Sequence, residues 1–324
     1  MTHAETDDGS ALGDGHVVLV TGSTDGIGAE TARNLAETGA TVLVHGRDRQ
    51  KGERLVASLP GTDHAFYAAD FTDPAAIRDL AEAVSAEFDR LDVLVNNAGT
   101  FQSQRRLVDL PGSDEGVEMT FAVNHLGPFL LTNLLADRLA ATGELRASDA
   151  PDGERDPARV VTVSSDLHRD VVLDLDGVRG PAGPSGMDAY NHSKLANVLF
   201  TAELAQRLPD SVTANSCHPG VSPTTALTRE SARVFGLVWS LYGVVGGALG
   251  RTDSPAESAE TQTYLARSPD VTGVTGEYFD DCEPVAPGDG ATDRDAQRRL
   301  WRASVEWVGL AETEEAGTER AQRA

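Results

Sequence analysis

Tyr190 and Lys194 stand four residues apart in the run Tyr190-Asn191-His192-Ser193-Lys194. The segment around them has a helical period, with Leu195, Val198, Leu199, Ala202 and Ala205 spaced by threes and fours. On a helix, positions i and i+4 share a face, so the phenol and the ammonium project side by side. A free phenol has a pKa of about 10 and is a poor acid or base at neutral pH. An ammonium within about 4–6 Å favours the phenolate, so the pair suits proton transfer to or from an oxygen. The bland alternative is a helix with one buried tyrosine and one surface lysine. Lys51 and Lys194 are the only lysines in a chain otherwise supplied with arginine, which singles out position 194.

Such a pair needs a scaffold to aim it. His16 to Thr21 is a short apolar, β-branched run and reads as a buried strand. It feeds into Thr21-Gly22-Ser23-Thr24-Asp25-Gly26-Ile27-Gly28 and then a helical pattern ending at Gly39. A glycine turn between strand and helix is what a phosphate cradle requires: backbone approaches the anion, and the helix start offers N–H groups and a positive dipole. Its spacing is G-x-x-x-G-x-G, not the commoner G-x-G-x-x-G. Thr41 to His45 is a second strand. Beyond it, Gly46-Arg47 suits a ribose 2′-phosphate, whereas Asp48 and Asp25 suit a 2′-hydroxyl; the balance favours NADP(H) over NAD(H).

Further along, His64 to Ala69 reads as a third strand ending at Asp70-Phe71, followed by a helix over 74–88. A fourth strand, Asp92 to Val95, ends in Asn96-Asn97-Ala98-Gly99, small and amide residues that suit a flat ligand lying on backbone. Residues 114–141 read as one long helix carrying Asn124 beside His125, and 143–159 as an acidic, solvated loop. Val160 to Ser165 is a fifth strand ending in two serines. Asp166 and His168 invite a hydrolase triad, but no G-x-S-x-G elbow precedes them and three residues so close on one loop rarely converge. Ser211 to His218 is a sixth strand closed by Pro219-Gly220, and 276–281 a last one, with helices over 255–267 and 292–309. The uncharged run 234–250 is short and glycine-broken for a membrane span. It reads as a mobile helical lid over an apolar pocket within about 222–254, with a core or dimer helix and a peripheral membrane contact as rivals.

The chain has 324 residues and a formal net charge of −24, which excludes a nucleic-acid partner held by a basic face. The acid is spread along the chain, as expected of a protein adapted to a high-salt cytoplasm, where the Debye length falls to about 3 Å at 1 M. Two distant cysteines form no metal or redox motif, so a reducing cytoplasm is the default. Residues 1–15 read as a disordered acidic leader and 310–324 as a charged tail around one domain over 16–309.

Taken as an ordered set, Thr21-Gly22-x-x-x-Gly26-Ile27-Gly28, Asn96-Asn97-Ala98-Gly99, Asn124, Ser165, Tyr190-x-x-x-Lys194 and Pro219-Gly220 resemble the short-chain dehydrogenase/reductase family. The Ser165-to-Tyr190 interval, His218-Pro219-Gly220-Val221, Gly276-Glu277-Tyr278-Phe279 and Leu300-Trp301 are similar to its retinol-dehydrogenase-like branch, while Thr24-Asp25 and Ser222-Pro223-Thr224 depart from it. The resemblance implies one doubly wound α/β domain with a seven-stranded parallel sheet, and hydride transfer between nicotinamide and a hydrophobic alcohol or carbonyl. Tyr190 would be the general acid/base, Ser165 would hydrogen-bond the reacting oxygen, Lys194 would hold the nicotinamide ribose and acidify Tyr190, and Asn124 would hold a proton-relaying water. The dinucleotide would lie on Gly22, Ser23, Thr24, Asp25, Gly26, Ile27 and Gly28, on Arg47, Asp70 and Phe71, and on Asn97, Ala98 and Gly99. Tyr190 and Lys194 would complete that contact with Pro219, Gly220, Val221 and Thr224. No metal is implied. A non-catalytic dinucleotide sensor is the rival, and an intact Ser165, Tyr190 and Lys194 argue against it.

Overall fold

The structure, a computed structural model, describes residues 12–149, 156–220, 254–311 and 314–316. The reading of 234–250, and the cofactor contacts at Val221 and Thr224, therefore lie outside the described residues.

The β-branched runs Val17–Val20, Thr41–Gly46, Val93–Asn96 and Ala158–Val163 form the central strands, which are covered on both faces. β1 (Val17–Val20), β2 (Thr41–Gly46), β3 (Ala65–Ala68), β4 (Val93–Asn96), β7 (Ala158–Val163), β8 (Val212–Cys217) and β9 (Tyr278–Asp280) pair in parallel. Along the sheet the order is β10-β9-β8-β7-β4-β1-β2-β3. The expected seven parallel strands are present, and an eighth, β10 (Glu283–Pro284), adds antiparallel to β9 at the edge. Side-chain alternation divides the core. Val18, Val20, Val42, Val44, Val93, Val95, Val161 and Val163 pack on one face with α1 (Gly26–Ala36) and α7 (Glu260–Arg267), the latter preceded by the one-turn α6 (Pro255–Ser258). Leu19, Leu43, Leu94 and Val160 pack on the other, with α3 (Pro74–Glu87), α4 (Gly127–Asp149), α5 (Met187–Arg207) and α8 (Arg294–Val308). Asp48 caps the remaining helix, α2 (Arg49–Val56).

Two expectations need correcting. Residues 114–141 are not one helix. Leu107–Leu110 (β5) and Ser113–Glu118 (β6) form an antiparallel hairpin turned at Pro111-Gly112, with β5 alternating in burial. Helix begins only at Met119–Phe121, widens into a π-turn over Ala122–Leu126, and continues as α4. The acidic stretch from 143 is likewise not a loop throughout, because α4 runs to Asp149 and β7 starts at Ala158.

Candidate active site

A cleft of about 240 Å³ opens at the carboxyl ends of β1, β2, β4 and β7, where strand order reverses direction between β1 and β4. Gly22, Thr24, Asp25, Gly26, Ile27 and Gly28 line one wall, with Arg47, Asp70 and Phe71 next to them. Asn97, Ala98, Gly99, Tyr190, Lys194 and Pro219 also line it. Of the residues expected to bind the cofactor, Ser23 and Gly220 are not lining residues. Ser23 is used inside the turn, its hydroxyl donating to the Val20 carbonyl at 2.7 Å and accepting from the His45 N–H at 3.1 Å.

The glycine turn is held against the end of β4. Gly22 has φ +64°, and a Cβ there would stand 2.7 Å from Cα of Ala98. Thr21 laces the two segments: its Oγ1 accepts from the Asn97 and Ala98 N–H groups, both at 3.0 Å, and donates to the Val95 carbonyl at 3.2 Å. Asn97 returns the tie through Nδ2 to the Thr21 carbonyl at 2.8 Å. His45 braces the turn from β2. Its Nδ1 accepts from the Gly22 N–H at 3.1 Å, and its Nε2 lies 3.2 Å from the Ala69 carbonyl, which makes Nε2 the protonated nitrogen. The ring stacks on Phe71 at 4.6 Å, and burial lowers its pKa to about 4, so it stays neutral. Sequence reasoning placed Thr21 in the turn motif without this role and missed His45; the only signal for either was a polar residue ending an apolar strand.

The two acids near the turn have local work. Asp25 caps α1, accepting from the Gly26 N–H at 2.9 Å, while its other oxygen meets Nζ of Lys51 at 2.9 Å. Asp48 accepts from the Lys51 N–H at 3.1 Å. Both lysines of the chain thus stand at this cleft or its rim.

On α5, Lys194 is 4% exposed, and Nζ donates to the Val163 carbonyl at 3.1 Å and lies 5.4 Å from the Tyr190 ring centroid. Asn197 donates to the same carbonyl at 3.1 Å, and Ser164 Oγ donates to the Lys194 carbonyl at 2.7 Å, so the helix is pinned to the end of β7. The phenol and ammonium are brought together as expected, but the electrostatics differ. Burial pushes the Tyr190 phenol up, above its ordinary range, and lowers the Lys194 ammonium to about 8. Both shifts come from desolvation of the charged forms, and the one on Tyr190 runs opposite to the expected acidification.

Ser165 and Asn124 are mostly buried and do not line the cleft. Asn124 sits in the π-turn, a distortion frequent at functional sites. Its Oδ1 accepts from the Thr100 N–H at 2.7 Å; its Nδ2 donates to the Thr100 carbonyl at 3.1 Å and to Ser193 Oγ at 3.0 Å. It braces the segment after β4 against the helix of Tyr190. Ser165 caps a short 3₁₀ turn, Asp166–His168, its Oγ accepting from the Leu167 N–H at 3.3 Å. No hydrolase relay forms there, because Nδ1 of His168 meets the Ser165 carbonyl and Asp166 meets Arg169 and Tyr278. Among the described residues no cluster of histidine, cysteine and carboxylate side chains could hold a metal.

A doubly wound parallel sheet whose carboxyl-end crevice holds a glycine turn and a tyrosine–lysine pair defines a dinucleotide-binding protein of the Rossmann class. The pattern of the short chain dehydrogenase family matches residues 16–234. The chain is 36% identical over 314 residues to retinol dehydrogenase 14 of Homo sapiens, spanning 91% of this chain and 87% of that protein. It is equally 36% identical to retinol dehydrogenase 13 of Homo sapiens, over 91% of this chain and 85% of that protein. A crystal structure of an uncharacterized protein from Mycobacterium paratuberculosis is similar with a TM-score of 0.68 at 29% identity, covering 91% of this chain and 94% of that one. The chain belongs to the short-chain dehydrogenase/reductase family, on its retinol-dehydrogenase-like side, and is an oxidoreductase of that family.

Proposed function

We propose that the protein moves a hydride between NADP(H) and a hydrophobic alcohol/carbonyl pair, with Tyr190 as general acid/base. The observation that carries the reading is that Tyr190 and Lys194 line the same cleft as the glycine turn. The residues fit a dinucleotide: Gly22 leaves backbone exposed where a side chain would collide with Ala98, and the start of α1 faces the cleft. Bound there, a nicotinamide supplies or accepts the hydride. Gly22 to Gly28 would hold the pyrophosphate, Asp70 and Phe71 the adenine end, and Lys194 the nicotinamide ribose. Burial raises the Tyr190 phenol, which favours the protonated form that gives a proton to a carbonyl oxygen, and Ser165 would hydrogen-bond that oxygen as charge develops on it.

Preference for NADP(H) is supported by Arg47, exposed on the cleft wall, and by the occupation of both nearby acids. Asp25 is neutralised by Lys51, and Asp48 caps α2, so neither is left to hold a ribose 2′-hydroxyl. An apolar substrate is supported by Met119 and Val123 in the lining and by the substrate in the names of the relatives. A cytoplasmic location and adaptation to high salt belong to this proposal through the charge of −24. Among the described residues no helix is long and apolar enough to cross a membrane.

The test is a panel of aliphatic, aromatic and isoprenoid alcohols and aldehydes, each with both cofactors in molar KCl, following absorbance of the reduced nicotinamide. Turnover of the apolar members, faster with the phosphorylated cofactor, is expected. Dinucleotide binding without turnover of any pair would favour the sensor instead. Equal activity in dilute buffer would remove the high-salt part.

A further inference from the structure

We propose that His168 is the positioning residue of Ser165, fixing the serine to a strap formed by residues 286–290. The proposal rests on the reading that Ser165 hydrogen-bonds the reacting oxygen. His168 is 0% exposed, and each ring nitrogen has one defined role. Nδ1 lies 2.7 Å from the Ser165 carbonyl and must donate to it; Nε2 accepts from the Gly288 N–H at 3.0 Å. Only one neutral tautomer, protonated at Nδ1, satisfies both. The ring is held edge-on to Tyr278 with centroids 4.8 Å apart, and Tyr278 hydrogen-bonds Asp166 in the same turn at 3.1 Å.

The strap is seated closely. A Cβ on Gly288 would stand 2.5 Å from Cα of Arg169, and one on Gly290 2.5 Å from the Val171 carbonyl oxygen. Arg169 adds a bond to the Ala286 carbonyl at 2.8 Å. Ser165 is thereby held from two directions. Its carbonyl accepts from the imidazole at 2.7 Å and more weakly from the His168 backbone N–H at 3.2 Å, and its Oγ accepts the Leu167 N–H, which turns the hydroxyl hydrogen toward another acceptor. Held so, the hydroxyl can donate without first reorganising, the condition under which a hydrogen bond to developing charge counts most. His168, read from the sequence as a rejected triad member, thus acts on the serine's backbone and not on its hydroxyl.

Two isosteric variants separate the nitrogens. In His168→Asn the amide nitrogen takes the place of Nδ1 and keeps the bond to Ser165; in His168→Gln the amide oxygen takes the place of Nε2 and keeps only the bond to Gly288. Turnover is measured with NADPH and whichever aldehyde the wild type reduces best, alongside NADPH dissociation by fluorescence and thermal unfolding. His168→Gln is expected to lose about tenfold to a hundredfold in kcat, the scale of a small misplacement of a reacting group. His168→Asn should stay within about threefold, and both should keep NADPH affinity. Equal kcat losses in the two variants, or losses that follow their thermal stability, would overturn the positioning role. Independently of any substrate, ¹⁵N-histidine spectra of the full chain, assigned by the signal missing from His168→Asn, should show His168 protonated at Nδ1 and bare at Nε2. The opposite tautomer would overturn the proposal even in an active enzyme. A wild type that binds NADPH but reduces no aldehyde would fail the reading of the site and leave the spectrum as the decisive measurement.

Discussion

Arg47 follows Gly46 at the end of β2 and lines the cleft near Asp25, which is ion-paired to Lys51, and Asp48, which caps α2. The value of the Arg47 guanidinium lies in meeting a phosphate with several N–H donors at once. Arg47→Asp should therefore swing preference from NADP(H) toward NAD(H). The ratio of kcat/KM for the two cofactors measures this directly, and a reversal by at least about tenfold, roughly 1.4 kcal/mol, is expected. An unchanged ratio would set aside the 2′-phosphate reading. In the sequence the neighbouring aspartates weigh against a 2′-phosphate. Acid next to a binding turn looks like a ribose ligand until its hydrogen bonds are seen, and both carboxylates prove to be helix caps.

At the scale of elements, the cleft exists because the β1–α1 turn and the end of β4 are tied together. Thr21 receives two N–H groups, from Asn97, which it shares with the Val95 carbonyl, and from Ala98. Thr21→Val keeps the shape and removes the acceptor, so it should cost about 2 kcal/mol or more of stability and weaken dinucleotide binding. Urea unfolding and fluorescence titration check both; a neutral variant would show that the lacing is incidental. Much of this architecture was legible. Apolar β-branched runs located the parallel strands, glycine spacing located the turn, and the i, i+4 pair placed Tyr190 and Lys194 on one helix. The hairpin over 107–118 was missed, its only signal being Pro111-Gly112, because the helical period of the residues after 119 was extended backwards. Asn124 was found as a residue, but not its π-turn, since a one-residue widening of a helix leaves no periodic trace. The roles of His45 and Thr21 escaped because they depend on partners more than 20 and 70 residues away.

At the scale of the whole molecule, five buried or part-buried histidines tie stability to pH. His16, His45, His125, His168 and His192 are each pushed below the ordinary imidazole range by burial, His45 to about 4 and His125 to about 3. Between 6.5 and those values the unfolded chain takes up protons that the folded chain refuses, so stability falls as pH falls. Each such histidine contributes at most about 1.4 kcal/mol per pH unit. Buried Glu118, pushed upward, partly offsets the loss. Urea midpoints should therefore drop between pH 6.5 and 5, before most carboxylates titrate, and a flat midpoint over that interval would contradict the buried, neutral imidazoles. What the folded molecule does with its cleft is tested most directly at one oxygen. Tyr190→Phe removes the proton donor and leaves the ring, the helix and Lys194 in place. Turnover should fall by about 10²–10⁴ while NADPH dissociation measured on the same sample stays within about threefold of wild type. A variant retaining more than about a tenth of the wild-type rate would contradict Tyr190 as the general acid/base.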